Sequence, residues 1–112
     1  NCTLQSFCEM IAECASRYGA EHFGIGSDLC QDQPDAVVEW MRNGRWSKEI
    51  DFGEGSADHA GFPAMPGWFQ DNRDFNNLRD GLTRVGFSCS EIDGIMGGNW
   101  YNFYRESFEP SM

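Results

Sequence analysis

The chain has 112 residues, of which 40% are hydrophobic, with nine Phe and four Trp among them. This composition excludes an intrinsically disordered segment and fits one ordinary domain. Eighteen acidic residues against eight basic ones give a formal net charge of −10. Such a charge repels phosphate backbones and anionic lipids, so we expect neither nucleic acid nor a membrane surface as a partner. No apolar run approaches the roughly 20 residues of a membrane helix, so no transmembrane segment is expected.

The five cysteines raise the question of disulfides or a metal site. Cys2, Cys8 and Cys14 recur every six residues, which on a helix places successive side chains about 120° apart. They therefore cannot converge on one ion. Cys30 and Cys89 stand alone, without the C-x₂-C pairs that are typical of zinc sites. We interpret the cysteines as reduced, mostly buried small side chains, which favours a cytoplasmic location.

The first elements in chain order are a helix and a strand. Apolar residues over Leu4–Tyr18 follow the spacing of an amphipathic helix, and Gly19 predicts its end. The next segment, Glu21–Asp28, places Phe23 and Ile25 on one face and small or polar residues on the other. This alternation predicts a β-strand whose Phe23 side packs against helices.

A long irregular connection follows over residues 29–73 and is interpreted as an elaborated loop with one short helix, Ala36–Arg42. The loop carries His59, which is either a substrate contact or a solvated residue. Its aromatic residues form either the lid of a pocket or a small core of the loop itself. These aromatic residues are Trp40, Trp46, Phe52, Phe62, Trp68 and Phe69.

Three further helices are predicted after the loop. The first carries an apolar stripe over residues 75–85 and ends at Gly86. The second begins with the capping box Ser88–Glu91 and ends at residues 97–98. The third is capped by Asn99. Its inner face is expected to consist of three aromatic side chains, Phe103, Tyr104 and Phe108.

A single strand beside several helices poses a physical problem, because one strand cannot form a sheet. The backbone groups of a strand with Gly24 and Gly26 on its crowded side require neighbouring strands on both edges. Those neighbours are not in this sequence. We therefore expect an α/β fold in which the 112 residues complete a larger parallel structure, whose other strands precede Asn1 or lie in a separate chain.

Asp28 is the candidate catalytic residue. In barrels of alternating strands and helices, catalytic groups project from the C-terminal ends of the strands, which is where Asp28 stands. The alternative is a turn or helix-capping role for this Asp. His22 shares the strand face of Asp28, but six residues of about 3.3 Å each separate the two by roughly 20 Å. His22 is therefore not expected to act together with Asp28.

Four segments carry a family resemblance when they are taken in order. They are His22-Phe23-Gly24-Ile25-Gly26-Ser27-Asp28, Leu78-Arg79-Asp80-Gly81-Leu82, Val85-Gly86-Phe87-Ser88 and Ile95-Met96-Gly97-Gly98-Asn99-Trp100. Together they resemble the membrane (renal-type) dipeptidases, the M19 metallopeptidases of the amidohydrolase superfamily, and the first resembles the final barrel strand of that family. The similarity covers roughly Ala15 to Phe108 without most of the long loop.

The resemblance implies a fold, a reaction and a site. The fold would be the C-terminal portion of a (β/α)₈ TIM barrel, with residues 1–112 supplying the last strand and the flanking and terminal helices of one domain. The protein would be a dipeptidase with two zinc ions, whose His, Asp and Glu ligands come from earlier strands. Asp28 would act as general acid/base on a dipeptide substrate. The chain alone would be inactive without the N-terminal remainder of the barrel.

Two other classes of function stay open beside the enzyme. One is a small acidic binding module, in which the aromatic loop grips a ligand or a protein partner and Asp28 is structural. The other is a degenerate barrel that has lost its metals. A homodimer is also kept open as an assembly, and the connection over residues 29–73 is longer than in the renal enzyme, so the preferred dipeptide is expected to differ.

Overall fold

The computed structural model describes residues 2–29, 34, 36–37 and 64–110. His59 lies outside the described residues, and so does most of the predicted helix Ala36–Arg42, of which residues 36 and 37 are helical. Four aromatic residues of the predicted loop also lie outside, namely Trp40, Trp46, Phe52 and Phe62.

The chain divides into two units. One consists of Asn1–Asp28 and Pro66–Met112, and the other is Leu29–Met65. The first unit contains the described helices that follow and both ends of the family resemblance. Its architecture therefore decides where Asp28 lies.

Helix α1 spans Leu4–Tyr18, as predicted. Thr3 and Ser6 begin it with a reciprocal capping box, in which the Ser6 N–H donates to Thr3 Oγ1 at 3.0 Å and the Thr3 N–H donates to Ser6 Oγ at 3.1 Å. Gly19 ends it with a φ of 90°, a conformation that L side chains rarely adopt. The Gly19 N–H still donates to the carbonyl oxygen of Ala15 at 2.8 Å, so the last turn is closed.

Helix α2 spans Phe75–Arg84 and follows a 3₁₀ turn at Asn72–Asp74. Gly86 ends it as predicted, with a φ of 101°. Its N–H donates to the Thr83 carbonyl, and the next N–H, from Phe87, donates to the Leu82 carbonyl at 3.2 Å. This pair of bonds is the Schellman arrangement, which satisfies carbonyl groups that a helix end leaves free.

The turn before α2 is held by a short ion pair. Arg73 Nη2 lies 2.5 Å from Asp71 Oδ2, and the Arg73 N–H donates to Asp71 Oδ1 at 2.9 Å. The side-chain hydrogen bonds from Arg73, followed by its backbone N–H, lower the pKa of the Asp71 carboxyl to about 2. Asp71 therefore stays ionised at any physiological pH.

Helix α3 spans Cys89–Asp93 and begins with the predicted capping box at Ser88 and Glu91. A π-helical turn over Gly94–Gly98 then connects it to helix α4, which spans Asn99–Phe108. Gly97 has non-helical backbone angles within that turn, so the helical path is broken at the predicted glycines by a kink between two helices.

The strand predicted at Glu21–Asp28 is absent from the structure. Ala20–His22 form a 3₁₀ turn, residues 23–28 belong to no helix or strand, and no residue in the described ranges is in a β-strand. The α/β prediction, with the last strand of a TIM barrel, is therefore wrong, because the described part of the chain is helical. The physical reason is that side chains of α4, and not a neighbouring strand, bind the carbonyl groups of this segment.

The core lies between α1, α2 and α3. Its buried cluster consists of Cys8, Ile11, Leu82, Ile92 and Ile95. Helices α1 and α2 meet closely at Gly81, since a Cβ there would lie 2.6 Å from Cys8 Sγ and 2.8 Å from Leu4 Cδ1. The small residue thus lets α2 pack directly onto the Cys8 face of α1.

Two aromatic residues of the predicted loop pack against the helices. The Trp68 ring lies 5.3 Å from the Phe7 ring, and its indole N–H donates to the Cys2 carbonyl at 2.9 Å. Phe69 is buried and lies 5.0 Å from the Phe75 ring with edge-to-face geometry. Both residues therefore support the beginnings of α1 and α2.

The four described cysteines are free thiols, and their burial differs from the expectation. Cys8 is buried, and burial raises the pKa of its thiol. Cys14 is half-buried, whereas Cys2 and Cys89 are exposed. The interpretation of mostly buried cysteines is therefore right for Cys8 but not for Cys2 and Cys89. None of the helices in the described ranges is long and apolar enough to cross a membrane.

Replacement of Leu82 tests the core. Leu82 is fully buried, so Leu82→Ala should lower the free energy of unfolding by about 2–5 kcal/mol through lost contacts and a residual cavity. Met10→Ala, on the exposed side of α1, should change it by no more than about 0.5 kcal/mol. Chemical denaturation gives both values. Equal effects of the two substitutions would contradict this core.

The capping box of α3 makes a prediction about pH. Hydrogen bonds from the Ser88 backbone N–H, and then from its hydroxyl, lower the pKa of the Glu91 carboxyl. Because the folded pKa lies below the unfolded one, this stabilisation is complete above the unfolded pKa and is lost as pH falls through the folded pKa. An NMR titration should find Glu91 below the usual value of about 4.3.

The same titration of two variants tests whether the Ser88 hydroxyl contributes to the lowered pKa of Glu91. Ser88→Ala removes the hydroxyl and should raise the pKa of Glu91 toward its usual value, whereas Ser90→Ala should leave it unchanged. A Glu91 that titrates normally in the unmodified chain would rule out the reciprocal cap.

Candidate functional site

The site is organised by two adjacent side chains at the beginning of α4. Asn99 Nδ2 donates to the Ala20 carbonyl oxygen at 2.8 Å and to the Phe23 carbonyl oxygen at 2.7 Å. One amide group thus connects the beginning of the 3₁₀ turn with the segment that follows it. The Phe23 carbonyl group that it binds is one that a neighbouring strand would bind in a sheet.

Trp100 extends this connection toward Asp28. Its indole N–H donates to the Ile25 carbonyl oxygen at 3.2 Å. Gly24 lies directly against the indole, and a Cβ at Gly24 would overlap Trp100 Nε1. The lack of a side chain at Gly24 therefore lets the backbone reach the Trp ring.

Gly94 makes room for the Asn99 amide in the same way. A Cβ at Gly94 would lie 2.7 Å from Asn99 Oδ1 and 3.2 Å from Nδ2. Gly24 thus makes room for Trp100, and Gly94 makes room for Asn99. We call Asn99 and Trp100 the anchoring pair, because together they bind three carbonyl groups of residues 20–25.

Asp28 ends the segment that the anchoring pair holds. Among the described residues other than glycine, only Asp28 has a positive φ, at 47°. Asp tolerates this left-handed conformation better than most residues because its short side chain bonds locally. The residue is exposed, and no hydrogen bond or ion pair of its side chain lies within the described residues. Its carboxylate is therefore accessible to a ligand.

The structure does not bring His22 together with Asp28. His22 lies in the 3₁₀ turn, and its Nε2 is 3.4 Å from Glu21 Oε1. Both side chains of this contact are largely exposed, so it contributes little to stability.

The described residues do not form a metal site. No group of three or more His, Cys, Asp or Glu side chains in the described ranges is arranged to hold an ion. The two zinc ions implied by the family resemblance therefore find no ligand set among these residues. Any ligands would have to come from residues outside the described ranges or outside this sequence.

An open groove lies beside the anchoring pair. It has a volume of about 410 Å³. The groove runs along one side of α4 and faces the 3₁₀ turn. Its walls are formed by Glu21, His22, Phe23, Gly24, Asn99, Trp100 and Phe103.

Comparison with known proteins identified no relative of this chain. Searches of family models, of curated proteins and of solved structures found no match to this chain.

Asn99 was missed as a site residue because its position after two glycines is typical of a helix cap. The predicted role is wrong: Gly98 precedes it with helical backbone angles, and the Asn99 side chain binds carbonyl groups far away in sequence. The one available signal was that Gly24 and Asn99 lie in two motifs of the same family resemblance. That signal points to a contact only once the two motifs are known to lie side by side.

Replacement of Asn99 by Asp tests the anchoring pair. The change puts a carboxylate oxygen where an N–H₂ group faces two carbonyl oxygens, so both hydrogen bonds are lost and like partial charges meet. We expect the free energy of unfolding to fall by about 2–3 kcal/mol. Asn102→Asp, an exposed change one turn along the same helix, should cost less than about 0.5 kcal/mol. Equal costs in denaturant titrations would show that Asn99 does not bind these carbonyl groups.

Proposed function

We propose that this chain is part of a metal-dependent dipeptidase and contributes Asp28 as the general acid/base. The metal ions and their ligands belong to polypeptide outside the described residues. By itself the chain is expected to be inactive, because one carboxylate without an activated nucleophile does not hydrolyse a peptide bond.

One observation carries the proposal. The first and last of the four motifs that resemble the membrane dipeptidases lie far apart in sequence, yet Asn99 and Trp100 of the last bind Phe23 and Ile25 of the first. A resemblance by chance has no reason to select residues that contact each other. The contact joins the two motifs into one structural unit, which ends at Asp28.

The position of Asp28 supports a role in proton transfer. Its carboxylate is exposed at the end of a segment fixed by three side-chain hydrogen bonds. As a carboxylate it can accept a proton when water adds to the scissile carbonyl carbon. As a carboxylic acid it can return that proton to the leaving nitrogen when the C–N bond breaks. In its ionised form it can also bind the ammonium group of a dipeptide.

The proposal implies particular partners, and the cysteines favour a particular location. The substrate is a dipeptide, and the rest of the catalytic apparatus is a further polypeptide region that supplies the zinc ligands. A homodimer is compatible with this arrangement. The free thiols of the four described cysteines favour a reducing compartment such as the cytoplasm.

The test is made on the zinc-loaded protein in which this chain is joined to its metal-binding region. Asp28→Asn keeps the shape of the side chain but cannot carry the proton, so kcat for dipeptide hydrolysis should fall at least ~10²-fold. The zinc content should stay the same, because Asp28 is not proposed as a ligand. Metal analysis and steady-state kinetics give both values.

Asp80→Asn is the matched control. Asp80 is an exposed carboxylate on α2 and lies in another of the quoted motifs, outside the segment that ends at Asp28. Its replacement should leave kcat within about twofold of the unmodified enzyme. Unchanged turnover in Asp28→Asn would remove Asp28 from the mechanism, and a protein without any dipeptidase activity would remove the proposed function.

A further inference from the structure

Five of the eight exposed large hydrophobic side chains among the described residues lie on α4. None of the ten residues of this helix is buried. Trp100 is 44% exposed and Phe103 is 57% exposed. A ten-residue helix with no buried face is marginal in water, because most helical stability in proteins comes from packing. Exposed apolar surface of this kind marks interaction sites.

The aromatic rings are arranged as one continuous surface. The Trp100 ring stacks on the Tyr104 ring at 5.7 Å, and Tyr104 stacks on Phe108 at 6.0 Å. Phe103 packs edge-on against both Trp100 and Tyr104. The rings fix one another, so the surface is preorganised and a partner would spend little conformational entropy in ordering it.

The groove beside these rings is acidic at its rim. Glu21 lines the groove of about 410 Å³. A smaller hollow of about 240 Å³ continues along α4 and is lined by Glu21, Asn102, Phe103 and Glu106, among others. Two carboxylates, those of Glu21 and Glu106, thus flank the aromatic walls.

We propose that this groove is a docking site for a polypeptide segment that carries apolar side chains flanked by Lys or Arg. The apolar side chains lie against Phe23, Trp100 and Phe103, and the basic groups face Glu21 and Glu106. Charge complementarity favours this occupant. Its apolar side chains are buried against the aromatic rings, and the carboxylates at the rim of the groove attract the basic residues beside them. The proposal does not depend on catalysis by Asp28.

The charge of the chain argues against two other occupants. A second copy would bring another net charge of −10 against the same carboxylates. An anionic membrane would meet the same repulsion, so neither fits the rim of the groove. A basic segment of a different polypeptide meets no such cost.

Binding is measured with two labelled peptides of equal length, one built from Leu and Arg and the other from Leu and Glu, by fluorescence anisotropy at about pH 8. The Leu/Arg peptide should bind and the Leu/Glu peptide should not. Phe103→Ala and Glu106→Gln should each weaken binding of the Leu/Arg peptide at least ~5-fold.

Two matched variants distinguish binding in the groove from nonspecific attraction of a basic peptide to an acidic protein. Tyr101→Ala removes an equally exposed ring on the same helix that does not line the groove, and Asp80→Asn removes an exposed carboxylate on α2. Both should leave the affinity within twofold. Circular dichroism confirms that each variant keeps its helices.

Three results would overturn the proposal. The first is equal loss of affinity in groove and control variants. The second is a dimer in sedimentation that Phe103→Ala dissociates, which would assign the surface to a second copy. The third is binding to zwitterionic phospholipid vesicles that Phe103→Ala abolishes, which would assign it to a membrane.

Discussion

The side-chain amide of Asn99 is the interaction on which the rest of the site depends. It binds two carbonyl groups on the turn and segment that follow α1, and its neighbour Trp100 binds a third at Ile25. The Ala20 carbonyl also accepts from the Phe23 N–H at 3.3 Å, whereas a carbonyl group that loses its partner while shielded from water costs about 1–3 kcal/mol. The anchoring pair therefore fixes the path of the chain from α1 to Asp28 without a β-sheet.

The sequence predicts the helices well where a local signal determines them. Leu4–Tyr18 has an unbroken apolar stripe with Thr3 before it and Gly19 after it, and α1 has these bounds. Ser88 and Glu91 form the expected capping box for the same reason, because the two residues satisfy each other over one turn. Residues 94–98 could not be predicted in this way, since three glycines allow either an end or a kink and only packing decides between them.

The segment over residues 21–28 could not be predicted from its own pattern. Alternation of Phe23, Gly24, Ile25 and Gly26 is typical of a strand, but a strand exists only when a neighbour binds its backbone, and that neighbour is a tertiary fact. In this structure Asn99 and Trp100 take that place. The position after this segment singles out Asp28 as the candidate catalytic residue, whereas the residues that hold the segment are not predicted, because nothing near them in sequence indicates their partners.

The contact between the anchoring pair and residues 20–25 is the central feature of this structure, and proton NMR tests it directly. The indole N–H of Trp100 should show nuclear Overhauser effects to the α-protons of Gly24 and Ile25, and the Asn99 amide protons should exchange with water far more slowly than those of exposed Asn102. Absence of those effects, together with equal exchange rates for the two amides, would contradict the arrangement.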